Sequence, residues 1–210
     1  MKRIATLVLF LVLVGQLASQ TQRLVITADE DPYRDVKGSQ YFYAEPTMAT
    51  LTMYLGQKPH RVSLNVDLYE RYVEVYKGER TLYIPFDQIV TIEPDQGTSL
   101  IYSAGKMIAL PYIGERYKLS NELRVVLDEK VHYPPGQIIR VRKFVRKNKY
   151  QLTDGDRTKK VRLSPRQVKR FLGPEALDIA QDHSLDLKRE SGVATLLDLM
   201  ELTAVDASMR

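Results

Sequence analysis

Apolar and polar residues alternate in two runs between residues 61 and 76, and this pattern restricts the fold more than any other. The first run sets Val62, Leu64, Val66 and Leu68 against Ser63, Asn65 and Asp67, and the second sets Tyr72, Glu74 and Tyr76 against Val73 and Val75. Successive side chains of a strand point to opposite faces of a sheet. The alternation therefore predicts two half-buried strands joined by a tight turn near residues 69–71.

Shorter β-forming runs, separated by Gly and Pro, predict further strands. They cover residues 41–43, 50–55, 81–84, 89–92, 100–102, 106–110, 123–127 and 131–133. Proline lacks the N–H that a central strand needs, so we expect Pro85 to end a strand or to lie at a sheet edge. Asp128-Glu129 is expected to turn the chain, and Pro134-Pro135-Gly136 is expected to break it.

The period changes in the last quarter of the chain. Ser164, Pro165 and Gln167 suit the N-cap, N1 and N3 positions of a helix, and Gly173 suits its C-terminal stop. A short helix is expected over residues 174–180. Another follows from apolar residues at i, i+3, i+4 and i+7, namely Val193, Leu196, Leu197 and Met200. The sequence thus predicts an α+β fold, a curved, mostly antiparallel β-sheet or partial barrel with two or three short C-terminal helices.

The first nineteen residues have the composition of a secretory signal peptide. Lys2-Arg3 precedes an apolar run at 4–14 and a small-residue exit at 15–19, and an uncleaved anchor is the alternative. The chain has no Cys, so it is not expected to be a lipoprotein, and no later segment suits a membrane span. We expect an exported protein that is periplasmic or extracellular. Peripheral association with the outer membrane is among the expected locations.

The expected domain organisation follows from these boundaries. A signal peptide (1–19) and a flexible entry segment (20–34) precede a β-rich domain (35–163). A helical end packed on the same domain (164–203) and a frayed tail (204–210) follow it.

Positive charge is concentrated late in the chain. Between Arg140 and Arg170 there are thirteen Lys and Arg residues but only two acids, Asp154 and Asp156. Outside this stretch and the leader, acidic residues outnumber basic ones by twenty-four to sixteen. Such asymmetry is informative about binding partners rather than about fold.

Asp154-Gly155 predicts a two-residue hairpin within the basic stretch. Pairing outward from that turn places Lys149 opposite Lys160 and Lys147 opposite Arg162. Like charges directly across a ladder are destabilising. Either acids from elsewhere in the fold cover these residues, or an anionic partner does, so the candidate anion-binding residues are Lys147, Lys149, Lys160 and Arg162. A solvated face whose lysines deter unwanted pairing is the alternative.

The candidate partners are anionic components of the cell envelope: lipopolysaccharide phosphates, acidic lipids, acidic glycans or an acidic protein. Nucleic acid is not expected, because the aromatic residues Phe144 and Tyr150 are predicted to lie on the face opposite the lysines. A second hypothesis is an envelope protein–protein interaction module that uses a sheet edge or the C-terminal helix.

Sequence motifs for catalysis are absent. His60, His132 and His183 are far apart, and no nucleophile elbow, zinc motif, P-loop or dinucleotide fingerprint occurs. We therefore predict no enzyme activity, cofactor or metal site. A hydrolase with an unrecognised site is the weakest alternative.

Four segments resemble a family of uncharacterised exported proteins from the Bacteroidetes group of Gram-negative bacteria. They are residues 37–41 (KGSQY), 64–67 with 72–75 (LNVD and YVEV), 123–127, and the basic hairpin that leads into 163–168 (LSPRQV). The resemblance implies an exported β-rich domain with a helical end. It implies no activity and assigns no functional residue.

Overall fold

The computed structural model describes residues 32–54 and 58–208, with side chains described as far as residue 203. From residue 35 onward these residues belong to one compact unit, Asp35–Arg210. The predicted signal peptide, most of the entry segment and the last two residues of the predicted tail lie outside the described residues.

Ten antiparallel strands form one sheet, in the order β10-β9-β8-β7-β6-β5-β1-β2-β3-β4. The strands are β1 (Thr47–Met53), β2 (His60–Asp67), β3 (Tyr72–Lys77), β4 (Arg80–Pro85), β5 (Ile89–Pro94), β6 (Ser99–Ser103), β7 (Lys106–Ile113), β8 (Tyr117–His132), β9 (Ile139–Asp154) and β10 (Arg157–Val161). The sheet is open within the described residues, with β4 and β10 at its edges. Three C-terminal helices follow, so the α+β prediction is confirmed.

The connection from β4 to β5 shows that the first half of the sheet is rolled. Three strands lie between them in the sheet, and four steps of about 4.8 Å would separate them by roughly 19 Å if the sheet were flat. Only the 3-10 helix Phe86–Gln88 joins them, and four residues span at most about 14 Å. The Phe86 N–H bonds the carbonyl of Arg71, and the Tyr54 N–H bonds that of Gln88 (3.2 and 3.0 Å). Curvature therefore follows from the strand order and the short connection.

Two predictions about strands were wrong. Asp128-Glu129 does not turn the chain, since β8 continues to His132 and pairs with β9 over sixteen residues. The turn comes at Pro134-Pro135-Gly136, where the break was expected. Residues 41–43 form no strand, and only Tyr41 makes a bridge, to Asp67. Pro85 does end the edge strand β4, as expected.

The helices are α1 (Pro165–Leu172), α2 (Glu175–Asp182) and α3 (Glu190–Ser208). The Ser164 hydroxyl accepts a hydrogen bond from the Gln167 N–H, and Gly173 (φ 101°) follows α1, as the capping pattern predicted. α3 is longer than expected, because it continues past Thr203 to Ser208.

The helices cover one face of the sheet at its β10 end. Their apolar residues pack on Tyr117 and Leu119 of β8 and Leu152 of β9. The helical members of this core are Val168, Ala176, Ala180, Val193, Leu196, Leu197 and Met200, and Leu187 joins them from the loop between α2 and α3. All four residues of the predicted amphipathic stripe are therefore buried against the sheet.

A carboxylate on α3 also ties the helix to the loop between β7 and β8. Glu201 accepts hydrogen bonds from the N–H groups of Glu115, Arg116 and Tyr117 (2.7–3.1 Å) and from the Tyr112 hydroxyl (3.1 Å). Burial opposes ionisation, but these hydrogen bonds outweigh it and leave the pKa of Glu201 below its ordinary value. This contact joins residues more than eighty positions apart in the chain.

Candidate anion-binding face

The face of the sheet opposite the helices is predominantly basic. Leu119 and Leu152 point toward the helices, so the alternate residues of β8 and β9, with their partners on β7 and β10, point away from them. We call the part of this surface formed by residues 118–124 of β8, residues 147–153 of β9 and the adjoining ends of β7 and β10 the basic face. Its charged residues are Lys106, Lys118, Glu122, Arg124, Lys147, Lys149, Lys160 and, directly after β10, Arg162. One acid is thus set among seven cations.

The four predicted residues do lie on this face, but their pairing differs from the prediction. Lys149 is opposite Glu122 of β8, and Lys147 is opposite Arg124. Lys160 is opposite Gln151, and Arg162 lies beyond the last pair of β10. The predicted opposition of Lys149 to Lys160 and of Lys147 to Arg162 is therefore wrong.

Asp154 explains the change of register. It stays in the ladder opposite Arg157, and the turn residues are Gly155 and Asp156. The Asp154 carboxylate is buried and forms ion pairs with Arg116 (2.7 Å) and with Arg157. Burial opposes its ionisation, but the two arginines outweigh burial and lower the pKa of Asp154. A turn centred on Asp154 would sacrifice this tertiary contact, which the local sequence does not reveal.

A shift of two positions leaves the assignment of residues to faces unchanged, because side chains alternate with period two. Phe144 and Leu152 are buried, and Tyr150 is partly buried, on the helix side, as predicted. Lys147, Lys149 and Lys160 are exposed on the other side. The predicted separation of Phe144 and Tyr150 from the lysines is therefore confirmed.

Glu122 compensates part of the positive charge. Its carboxylate contacts the ammonium groups of Lys106 (2.8 Å) and Lys149 (3.1 Å), one on each neighbouring strand. The hydrogen bond from Lys106, with that from Lys149, keeps the pKa of Glu122 below its ordinary value despite partial burial. Lys149 is thus held in place by an acid.

The remaining cations are not neutralised in this way. Arg124, Lys147, Lys160 and Arg162 form no ion pair with an acid among residues 32–54 and 58–203. Arg124 and Lys147 are both exposed and directly opposite each other on β8 and β9. One like-charge pair therefore remains on the face, and it joins Lys147 to Arg124 rather than to Arg162 as the sequence predicted.

Two grooves divide the predicted residues. A groove of about 560 Å³ lies where β10 separates from β9, and its cations are Lys149, Lys160, Arg162 and Lys188. A second, of about 480 Å³, contains Arg124, Lys147 and Lys149 together with Glu122. Lys149 borders both. Lys188 and Arg124 were missed from the sequence because they come from a helix-connecting loop and from β8, outside the basic stretch.

Some cations of the basic stretch have structural roles instead. Arg146 donates hydrogen bonds to the carbonyls of Tyr41 (2.7 Å) and Phe42 (3.3 Å), and its guanidinium lies over the Phe42 ring, 5.5 Å from the ring centroid. It fastens the early segment to β9, where Lys37 also bridges to Lys143. The stretch is therefore divided between fold stabilisation and an open surface.

A second polar cluster lies in the rolled half of the sheet. Glu74 accepts hydrogen bonds from the hydroxyls of Tyr41 (2.9 Å) and Tyr76, and the buried Asp67 accepts one from the Gln40 amide (2.7 Å). Burial raises the pKa of Asp67, although the N–H groups of Tyr69 and Glu70 oppose this. Asp67 caps the β2–β3 turn, and these hydrogen bonds satisfy its buried carboxylate, so its burial has a structural explanation.

A third groove bears on the hydrolase alternative. The groove of about 560 Å³ between the β2–β3 turn and β8 contains one carboxylate, Glu122, and no histidine. Within the described residues no cluster of Asp, Glu or His is arranged to hold a metal ion.

Comparison of the chain with protein-family models, with curated proteins and with solved structures found no match. None of the helices in the described part of the chain is both long and apolar enough to cross a membrane.

Proposed function

We propose that this chain is an exported, non-enzymatic protein of the cell envelope that binds an anionic envelope component through the basic face. The ligand groups are phosphates or carboxylates, presented by lipopolysaccharide, an acidic lipid, an acidic glycan or an acidic protein. Export is supported by the composition of residues 1–19, and the resemblance to exported Bacteroidetes proteins agrees with it.

The exposed pair of Arg124 and Lys147 carries the proposal. Like charges directly opposite each other cost about 0.2–1 kcal/mol in a ladder, and no described acid forms an ion pair with either residue. Lys149 lies on β9 next to this pair, and Lys160 and Arg162 extend the positive surface across β10. An anion that lies across the strands would offset the repulsion between Arg124 and Lys147. Its binding would therefore also stabilise the sheet at this pair.

Nucleic acid remains an unfavoured ligand on physical grounds. Binding of single strands uses aromatic side chains on which bases stack, next to the cations that contact phosphates. The basic face has no aromatic residue, since Phe144 and Tyr150 lie on the helix side.

The alternative is an envelope interaction module that does not depend on charge. Its helical form has little support, because the apolar stripe of α3 packs against the sheet. The edge strand β4 favours the other form, since it carries the exposed side chains Leu82 and Tyr83. Unpaired strand edges can accept an added strand from a partner.

The test replaces Arg124, Lys147, Lys160 and Arg162 by Gln and measures binding to immobilised lipopolysaccharide, to its dephosphorylated form and to polygalacturonate. Lys149 is retained because it forms an ion pair with Glu122. Each exposed cation contributes up to about 1 kcal/mol to an anion contact, so we expect binding to weaken at least tenfold. Folding should be unchanged or slightly improved.

The matched control removes the same charge elsewhere, by Gln at Lys77, Arg80, Lys169 and Arg170, all of them exposed. It should bind within about twofold of wild type if position matters more than net charge. Wild-type binding that survives about 0.5 M salt would refute the electrostatic proposal and favour the sheet edge, because exposed charges are screened there. Equal binding by both variants would also refute it.

A further inference from the structure

The β8–β9 hairpin extends beyond the sheet as a two-stranded ribbon. β7 pairs with β8 only as far as Leu123, whereas β8 and β9 remain paired to His132 and Ile139. From Asp128 to Arg140 every residue except Pro134 is exposed. This part of the hairpin therefore contributes little to the core, and its sequence is not explained by packing.

The end of the ribbon is apolar, although it is open to solvent. We call residues 131–139 the ribbon tip. Tyr133 is 76 % exposed, Ile138 69 %, Ile139 44 % and Val131 39 %. Solvent exposure of four large apolar side chains so close together is unfavourable in water, and such patches mark interaction sites.

The two apolar side chains on the paired part of the ribbon point to opposite sides of it. Val131 shares a face with its partner Arg140, and His132 shares the other face with its partner Ile139. Val131 and Ile139 thus lie on opposite faces. A folded protein that docked on one face would leave the apolar residue of the other face in water, whereas a lipid layer surrounds an inserted tip.

The turn at the tip is fixed in shape. The Gln137 N–H bonds the Pro134 carbonyl (3.0 Å), with Pro135 and Gly136 (φ 77°) at the central positions. Pro at the first central position and a positive φ at the second are the features of a type II turn. The apolar residues are therefore presented without a large loss of chain entropy on binding.

The charges behind the tip identify the kind of surface. Lys130 and Arg140 are the first charged residues on the two strands, and both are exposed. The acids Asp128 and Glu129 lie further back, each opposite a cation, Lys143 and Arg142, and Asp128 is also 3.9 Å from Lys130. An apolar tip followed by net positive charge complements the anionic headgroup layer of a membrane.

We propose that the ribbon tip inserts into the headgroup region of a bilayer that contains anionic lipid. Two to three residues separate the turn from Lys130 and Arg140, which is about 7–10 Å of strand. This matches the depth of about 5–10 Å reached by interfacial segments. Deeper insertion is disfavoured, because the free backbone groups of a two-stranded ribbon need polar partners. The inference concerns a surface separate from the basic face and does not rest on the proposed function.

The first test is co-sedimentation with vesicles of phosphatidylcholine and about 30 % phosphatidylglycerol. It uses the full chain, purified after any processing by the expression host. We expect the Tyr133→Ser, Ile138→Ser double variant to bind at least about tenfold more weakly than wild type. The control is Tyr54→Ser with Leu82→Ser, which removes an exposed Tyr and an exposed Leu outside the ribbon and should bind within about twofold of wild type.

A second measurement reads the position of the tip directly. The chain has no Trp, so Tyr133→Trp introduces a single indole. We expect its emission to shift to the blue with these vesicles and to be quenched by brominated lipid, whereas Tyr54→Trp should show neither effect. Wild-type binding by the tip variant, an unshifted indole at position 133, or failure of the wild type to bind the vesicles would each overturn the inference. Binding lost only in the basic-face variant would assign membrane attachment to that face instead.

Discussion

Glu201 offers the sharpest test of how the helices are held on the sheet. Its carboxylate accepts three backbone N–H bonds and one hydroxyl bond from the β7–β8 region. In Glu201→Gln the amide oxygen still accepts some of these hydrogen bonds. The amide NH₂ replaces the other oxygen and cannot accept hydrogen bonds from the N–H groups that face it. Hydrogen bonds to a charged group are worth about 1.5–3 kcal/mol each, so in this partly exposed site we expect a loss of about 2–3 kcal/mol.

The assay is urea unfolding followed by circular dichroism, with thermal unfolding beside it. For a chain of this size the loss corresponds to a fall in Tm of about 5–10 °C. The control is Asp198→Asn on the same helix, whose exposed side chain belongs to none of the contacts of Glu201. It should change the free energy of unfolding by less than about 0.5 kcal/mol.

The pH dependence gives the same test a second readout. Because the pKa of Glu201 is lowered in the folded protein, its ionised form contributes stability above the unfolded pKa of about 4.3. That contribution is lost as the pH falls through the folded pKa. The stability gap between wild type and Glu201→Gln should therefore be full at about pH 7 and shrink below about pH 4.5.

Gly114 supplies an independent perturbation of the same contact. A Cβ at this position would lie 2.1 Å from a carboxylate oxygen of Glu201, so Gly114→Ala must displace the carboxylate. Both single changes break one contact, and the double variant should lose at least about 1 kcal/mol less than their sum. Strict additivity, or a stability gap that does not vary between about pH 3 and pH 7, would refute the role given to Glu201.

Two further predictions concern the register and the core. The chain has no Cys, so an introduced cysteine pair can be read without interference. Cysteines at Gln151 and Lys160, which are opposite in the ladder, should form a disulfide readily, whereas cysteines at Lys149 and Lys160 should not. The reverse result on non-reducing gels would support the register expected from the local sequence. Leu196→Ala removes a fully buried side chain and should cost about 2–5 kcal/mol in urea unfolding, whereas Leu202→Ala at an exposed position of the same helix should cost under about 1 kcal/mol.

The division of the hairpin into two faces followed from local pattern, but its register did not. Alternation fixes which residues share a face, and a shift of two positions preserves that assignment. The register depends on which residues the turn uses, and Asp154 is kept out of the turn by Arg116, a residue 38 positions earlier. The two like-charge pairs expected between β9 and β10 are therefore absent, and the pair that is present, Arg124 and Lys147, belongs to the β8–β9 ladder.

The sequence by itself determined the elements whose causes are local. These include the alternating strands of 61–76, the Ser164 cap, the apolar stripe of α3 and the concentration of basic residues. Each depends on side chains within about one turn or one hairpin of each other, so pattern and propensity suffice.

Only the tertiary structure decided the features that need residues distant in the chain. The sheet is rolled because β5 returns beside β1, Glu201 meets a loop more than eighty residues away, and Glu122 joins Lys106 to Lys149. The ribbon forms because β8 continues beyond its last pair with β7 and passes through Asp128-Glu129, where the sequence had indicated a turn. Strand order and long-range ion pairs are set by the free energy of the whole fold, which a local pattern does not contain.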